Sequence, residues 1–272
     1  MPPTNGIRRK VERIYALVTY DFAITWESKW HLVEMFYFPI TTLIIWGLFA
    51  KYAGGTGGFA EEAAFSILIV QIFWSFSSLS QSTITSQMME DVWSGGIREL
   101  LITPLKPHEF LLARCFTAVW KSVIILLVLI LGGYYMFGIS FFVSEPAFVF
   151  ALSVLSLVVS IGIGVIIAAL IVHLGVGYGF LSWSLLSLFM LLSAPFYPLS
   201  VFPEPILTLA KFMPYTWIFE SIRVYVSTRL VDTALLANAV VLSIAYFAVS
   251  FPLFSWVFRR ARVKGRLIRL WE

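Results

Sequence analysis

"AAFSILIVQIFWSFSSLSQSTITSQMM", residues 63–89, runs for 27 positions without a charged side chain. Soluble domains have roughly a quarter of their residues charged, and a helix needs about 20 mostly apolar residues to cross the hydrocarbon layer of a bilayer. This stretch therefore reads as a membrane span. Its polar residues fit that reading: Ser75, Ser78, Ser82 and Ser86 recur at helical spacing, and small hydroxyl residues let neighbouring helices approach closely. They are expected to form a dimer face or line a passage. The whole chain agrees, with 60% of its 272 residues hydrophobic, only 12% charged and a mean hydropathy of +0.89. The fold class is an all-α membrane protein.

Outward from residues 63–89, the same reading finds five more apolar stretches. Spans are expected at about 33–52, 63–86, 112–138, 147–172, 177–197 and 234–258. Between Pro146 and Pro203 only His173 is potentially charged, and the glycine-rich "HLGVGYG", residues 173–179, supplies the turn between the fourth and fifth spans. Together they make a six-span domain over 33–258, preceded by a segment at 1–32 and followed by a basic tail at 259–272. Six spans put both termini on one side. The connections on that side hold fourteen lysines and arginines, against four on the other. By the positive-inside rule both ends are expected in the cytoplasm, and for a prokaryotic chain the membrane is the inner one. The pI near 9.2 then reflects topology and anionic lipid rather than nucleic acid.

In the first segment Ile7, Val11, Ile14, Tyr15, Val18, Phe22 and Trp26 recur every three or four residues, with Arg8, Arg9, Lys10, Glu12 and Arg13 off that stripe. The pattern is that of an amphipathic helix lying at the membrane interface. Between the fifth and sixth spans Pro195, Pro198, Pro203, Pro205 and Pro214 cut an apolar stretch into pieces of roughly ten residues, too short to cross. This region, 198–230, reads as a re-entrant helical hairpin, tolerated at membrane depth where protein covers its backbone. Glu220 and Arg223 fall on one of its helix faces. Phe196 and Tyr197, just before it, are aromatics that face either packing or a passage.

Little points to catalysis. His31, His108 and His173 belong to no metal-binding spacing, and no G-x-x-x-x-G-K-[ST] nucleotide loop occurs. The chain is expected to bind no cofactor of its own. Its single cysteine, Cys115, excludes an internal disulfide framework and reads as packing. Arg114 and Lys121 lie two turns apart on one face, either snorkelling to headgroups or lining a vestibule.

Two local patterns carry a family resemblance. "MMEDVWSGGIRELLITPLKPHEFLLAR", residues 88–114, is similar to the coupling segment of ABC exporter permeases of the second export type. "FYPLSVFPEPILTLAKFMPYTWIFESIR", residues 196–223, resembles that family's stretch before its sixth span. The order of arm, spans, coupling segment and hairpin resembles the family over nearly the whole chain. The resemblance implies two permease chains, alike or similar, and two separate ATP-binding subunits that hold ATP and Mg. It places coupling in segment 88–110, on Glu90, Asp91, Gly96, Arg98, Glu99, Leu100, Pro104, Leu105 and Pro107. An outer gate falls on Pro198, Pro214, Glu220 and Arg223, and Ser75, Ser78, Ser82, Phe196 and Tyr197 are candidates for the passage lining. "TYDFAITWESKWHLVEMFYFP", residues 19–39, looks closer to the drug and nodulation-factor branch than to the capsule and O-antigen branch; glycan export stays open. The alternatives are an integral membrane enzyme acting on a lipid-linked substrate, with Glu204, Glu220, Arg223 and Asp232 as its outward candidates, or a passive channel.

Overall fold

The computed structural model describes residues 6–55, 61–93, 106–175 and 178–263. Its elements, in chain order, are α1 (Gly6–Glu27), α2 (Lys29–Gly55), α3 (Glu61–Trp93), α4 (Pro107–Phe137), a one-turn α5 (Phe141–Ser144), α6 (Pro146–Leu174), α7 (Leu181–Leu192), a 3-10 turn (Leu199–Val201), α8 (Glu204–Lys211), α9 (Pro214–Thr228) and α10 (Thr233–Val263). No strand occurs among the described residues.

Five helices, α2, α3, α4, α6 and α10, are long and apolar enough to cross a membrane. The expected fifth span, 177–197, is shorter than the sequence suggests. Its helix α7 has 12 residues, a rise of about 18 Å, well under the hydrocarbon thickness. The reason is local. After Ser193 the chain turns through Ala194 at φ 48°, a left-handed conformation that a helix cannot continue through. Pro195 and Pro198 follow, each without an N–H to donate.

Helices α3 and α6 form the centre, each buried on most sides, with α2 and α10 at the periphery. The most extensive helix pairing is that of α6 with α10. It is close because Gly162 has no side chain: a Cβ there would lie 3.2 Å from the Tyr246 carbonyl carbon and the Phe247 nitrogen. The start of α4 is ordered by its own sequence. Pro107 occupies the first turn, where no N–H is needed, and the Glu109 carboxylate accepts the Lys106 N–H at 3.2 Å. Its other end closes on Gly138, at φ 71°, whose N–H reaches the Tyr134 carbonyl at 3.1 Å.

The stretch after α7 folds as a helical hairpin, with α8 running one way and α9 returning. Tyr215, at the start of α9, shares a 2.8 Å hydrogen bond with Ser160, which stands at the middle of α6. Tyr225, near the end of α9, packs 4.9 Å from Phe148 at the beginning of α6. Helix α9 therefore runs alongside one half of α6, and its turn with α8 reaches the middle of the bundle.

Candidate functional site

Two polar regions stand out, one at the end of the bundle where α1 lies and one extending from it toward the opposite end. The first is built around Arg114. This arginine comes from α4 and is flanked by Asp21 of α1 and Asp91 of α3. Its Nη2 donates to both oxygens of Asp91 at 2.8 and 2.7 Å, and its Nη1 donates to Asp21 Oδ1. The Thr117 hydroxyl donates to the other Asp21 oxygen at 2.7 Å. The side chains of Arg114 and Asp21 are 7% and 3% exposed. Three helices are thus joined by one buried cation between two carboxylates, an arrangement that is strong when complete and costly to leave half made. Beside it, Arg13 of α1 reaches Glu109 at the start of α4, at 3.3 Å, and His31 of α2 lies 3.3 Å from Glu90 of α3. A cavity of about 220 Å³ opens between these helices, lined in part by Asp21, Glu34, Gln87, Glu90, Arg114 and Lys121.

Several sequence expectations meet this region. Glu90 and Asp91 are both placed in it, Glu90 half exposed against His31 and Asp91 on Arg114. Pro107 begins α4. Gly96, Arg98, Glu99, Leu100, Pro104 and Leu105 lie outside the described residues. Arg114 does not snorkel: it is buried and ion-paired, and Lys121, also buried, lines the cavity. Cys115 is buried as expected of a packing residue.

Most of the apolar stripe of α1 is turned away from the bundle. Val11, Tyr15, Phe22 and Trp26 are exposed, whereas Asp21 and Thr25 are buried and Leu17 packs against the bundle. The apolar face is left for a membrane surface, and a narrow polar face meets the protein. Asp21 and Glu34 are the residues that sequence reading passed over. The signal for Asp21 is spacing: Leu17, Asp21 and Thr25 recur every four residues, which marks one face of α1 but not its partner.

The second region is a groove of about 360 Å³ between α2, α3 and α7. Its lining is mixed. Ser75, Ser78 and Ser82 of α3, with Thr42 of α2, contribute hydroxyls, and Phe38, Trp46, Trp74 and Trp183 contribute rings. The Ser78 and Ser82 hydroxyls donate back to the carbonyls of Ser75 and Leu79 at 3.0 and 3.1 Å, which satisfies them within an apolar helix. Gln71 donates to Ser75 at 3.3 Å. Glu34 stands where this groove meets the cavity at the α1 end. At the other end Phe196 lies flat on Trp46, ring centres 4.2 Å apart and planes 10° from parallel. Tyr197 points elsewhere, its hydroxyl to the Leu191 carbonyl at 3.3 Å and its ring edge-on to Phe202.

The hairpin residues hold Phe196 in place. Arg223 and Glu220 of α9 pair at 3.0 Å. The Arg223 Nη2 donates to the Ala194 carbonyl at 2.8 Å, and Glu220 accepts the Leu199 N–H at 3.0 Å. This clasp binds both ends of the segment 194–199, in which Phe196 and Pro198 sit. Pro214, by contrast, is buried at the opposite end of α9. The remaining outward acids do not join the clasp: Asp232 caps the first turn of α10, accepting the Ala234 N–H at 2.8 Å, and Glu204 is exposed at the start of α8. Among the described residues no group of three or more His, Cys, Asp or Glu is arranged to hold a metal ion.

No curated relative matches the chain. The family model described as "ABC-2 type transporter" matches residues 12–226, from α1 through the greater part of α9 and including both polar regions. With five spanning-length helices, the chain is a multi-pass membrane protein and belongs to the ABC-2 type transporter family, as a permease component of an ABC transporter.

Proposed function

We propose that this chain is the membrane subunit of an ATP-driven exporter, in which two copies, or one copy and a similar chain, stand over two ATP-binding subunits. ATP and Mg are held by those partners. The proposed joint is segment 88–110, with both termini in the cytoplasm and the membrane the prokaryotic cytoplasmic (inner) membrane. The observation that carries this reading is the Asp21–Arg114–Asp91 network. It ties α1 to the helix before residues 94–105 and to the helix after them, so a push on that segment reaches α1, α3 and α4 together. Glu90, Asp91, Gly96, Arg98, Glu99, Leu100, Pro104, Leu105 and Pro107 are the residues assigned to the contact.

The groove between α2, α3 and α7 is the proposed passage. Its mixture of hydroxyls and aromatic rings suits an amphiphile, of the drug, lipid or glycan type. The Trp46–Phe196 stack closes it, and the Glu220–Arg223 clasp determines where Phe196 stands.

The test is co-purification of the tagged full chain from its native membrane in mild detergent. An ATP-binding subunit should appear in stoichiometric amount and disappear when residues 96–107 are replaced by a Gly/Ser linker. A chain that purifies alone, or a partner that survives the replacement, would overturn the assignment of the joint.

A further inference from the structure

The last turns of α6 and α10, at the α1 end of the bundle, enclose a cleft of about 380 Å³ that plays no part in the passage. Ala169 and His173 line it from α6. Leu253, Trp256, Val257 and Arg260 line it from α10, spaced as one helical stripe. From Leu253 to Arg260 the stripe rises about 10 Å, from an apolar floor to a mouth that carries Arg260 and His173. Arg260 lies over the Trp256 ring at 5.1 Å, and Trp256 is itself largely exposed. Tryptophan at the end of a spanning helix marks the level of lipid headgroups.

The charge here is uncompensated by its own helices. No Asp or Glu occurs from Pro146 to Pro203, nor from Thr233 to Trp271, while Arg259, Arg260, Arg262, Lys264, Arg266 and Arg269 follow one another closely. Arg8, Arg13, Arg114 and Arg223 each have a carboxylate partner; Arg259 and Arg260 make no ion pair among the described residues. Trp256, at the edge of the cleft, is exposed, as are Val241, Ile244 and Val249 farther along α10.

We propose that this cleft is a binding site for an anionic phospholipid, with its phosphate held by the Arg260 guanidinium and the His173 ring N–H, and its upper acyl chain laid against Ala169, Leu253 and Val257. A basic pocket between spanning helices at one membrane surface has the chemistry for such a headgroup. The charge requires an anion, and the apolar floor just below the mouth requires that the anion bring a hydrocarbon chain. The site stands apart from the exporter reading and holds if the chain works with any partner.

The experiment is native mass spectrometry of the full chain in neutral detergent, titrated with equal amounts of phosphatidylglycerol and phosphatidylcholine of the same acyl chains. Phosphatidylglycerol should be retained in preference. Arg260→Gln, at an exposed position, should cut that preference about fivefold, the share of one basic residue at a membrane surface. Leu253→Trp, which fills the floor without changing charge, should abolish it. Soluble glycerol phosphate should neither bind nor compete, because it lacks the chain that the floor takes. Equal retention of the two lipids would overturn the proposal. So would glycerol phosphate that competes as well as the lipid, which would make this a phosphate site alone. A preference that survives Arg260→Gln but is lost when Lys264, Arg266 and Arg269 are neutralised would place the lipid on the tail and overturn it too.

Discussion

Arg114→Gln isolates the buried network. The substitution leaves Asp21 and Asp91 facing each other with no cation between them, at side-chain exposures of 3% and 19%. Removing one partner of a buried ion pair costs about 3–5 kcal/mol, because a charge is left without compensation in a poorly polar site. Thr117 still donates to Asp21 at 2.7 Å, which places the expected cost near the lower end, about 3 kcal/mol. Arg8→Gln is the control. Its pair with Glu12 has the same chemistry but side-chain exposures of 73% and 60%, and exposed pairs four apart on a helix contribute at most about 0.5 kcal/mol. Unfolding in mixed micelles at neutral pH, followed by tryptophan fluorescence, gives both values. The triple variant Asp21→Asn, Asp91→Asn, Arg114→Gln should recover most of the loss, since it removes the stranded charges as well as the bond. If Arg114→Gln costs no more than Arg8→Gln, the network does not hold α1 to the bundle. If the triple variant recovers nothing, the loss comes from packing and not from charge.

Three other outcomes are expected. Gly162→Leu should cost about 1–3 kcal/mol in the same unfolding assay, and Gly162→Ala less, because the added atoms meet the α10 backbone at 3.2 Å; equal stability of all three chains would deny the close approach. Tyr215→Phe should cost about 1 kcal/mol, since the Ser160 hydroxyl keeps its 2.6 Å bond to the Ser156 carbonyl after losing Tyr215. Trp46→Ala removes the flat contact with Phe196 and should raise the rate at which a polar maleimide labels Thr42→Cys in the groove. The native Cys115 is buried and gives little background, and an unchanged rate would mean that the Trp46–Phe196 pair does not close the groove.

The linear sequence by itself determined the solvent in which this protein folds. A charge-free run such as residues 63–89, repeated along a chain with 12% charged residues, leaves no arrangement in water that buries enough of it. The same reading finds the interfacial helix and the proline-cut hairpin, because helix period and the missing proline N–H are local properties. Tertiary structure decided the rest. Pro195 marks where α7 must stop, but the left-handed turn at Ala194 that ends it is held by an arginine 29 positions away. The orientation of α1 follows from Asp21, which finds Arg114 at a separation of 93 residues; pairings at that distance leave no period in the chain. Glu34, between Val33 and Met35, reads as the polar edge of a span. Only the packing of α2 against α3 places it where the cavity and the groove meet. The charge pairs that join helices, such as Asp21–Arg114–Asp91, form only in three dimensions, because the spanning helices carry few charged groups and these partners come from different ones.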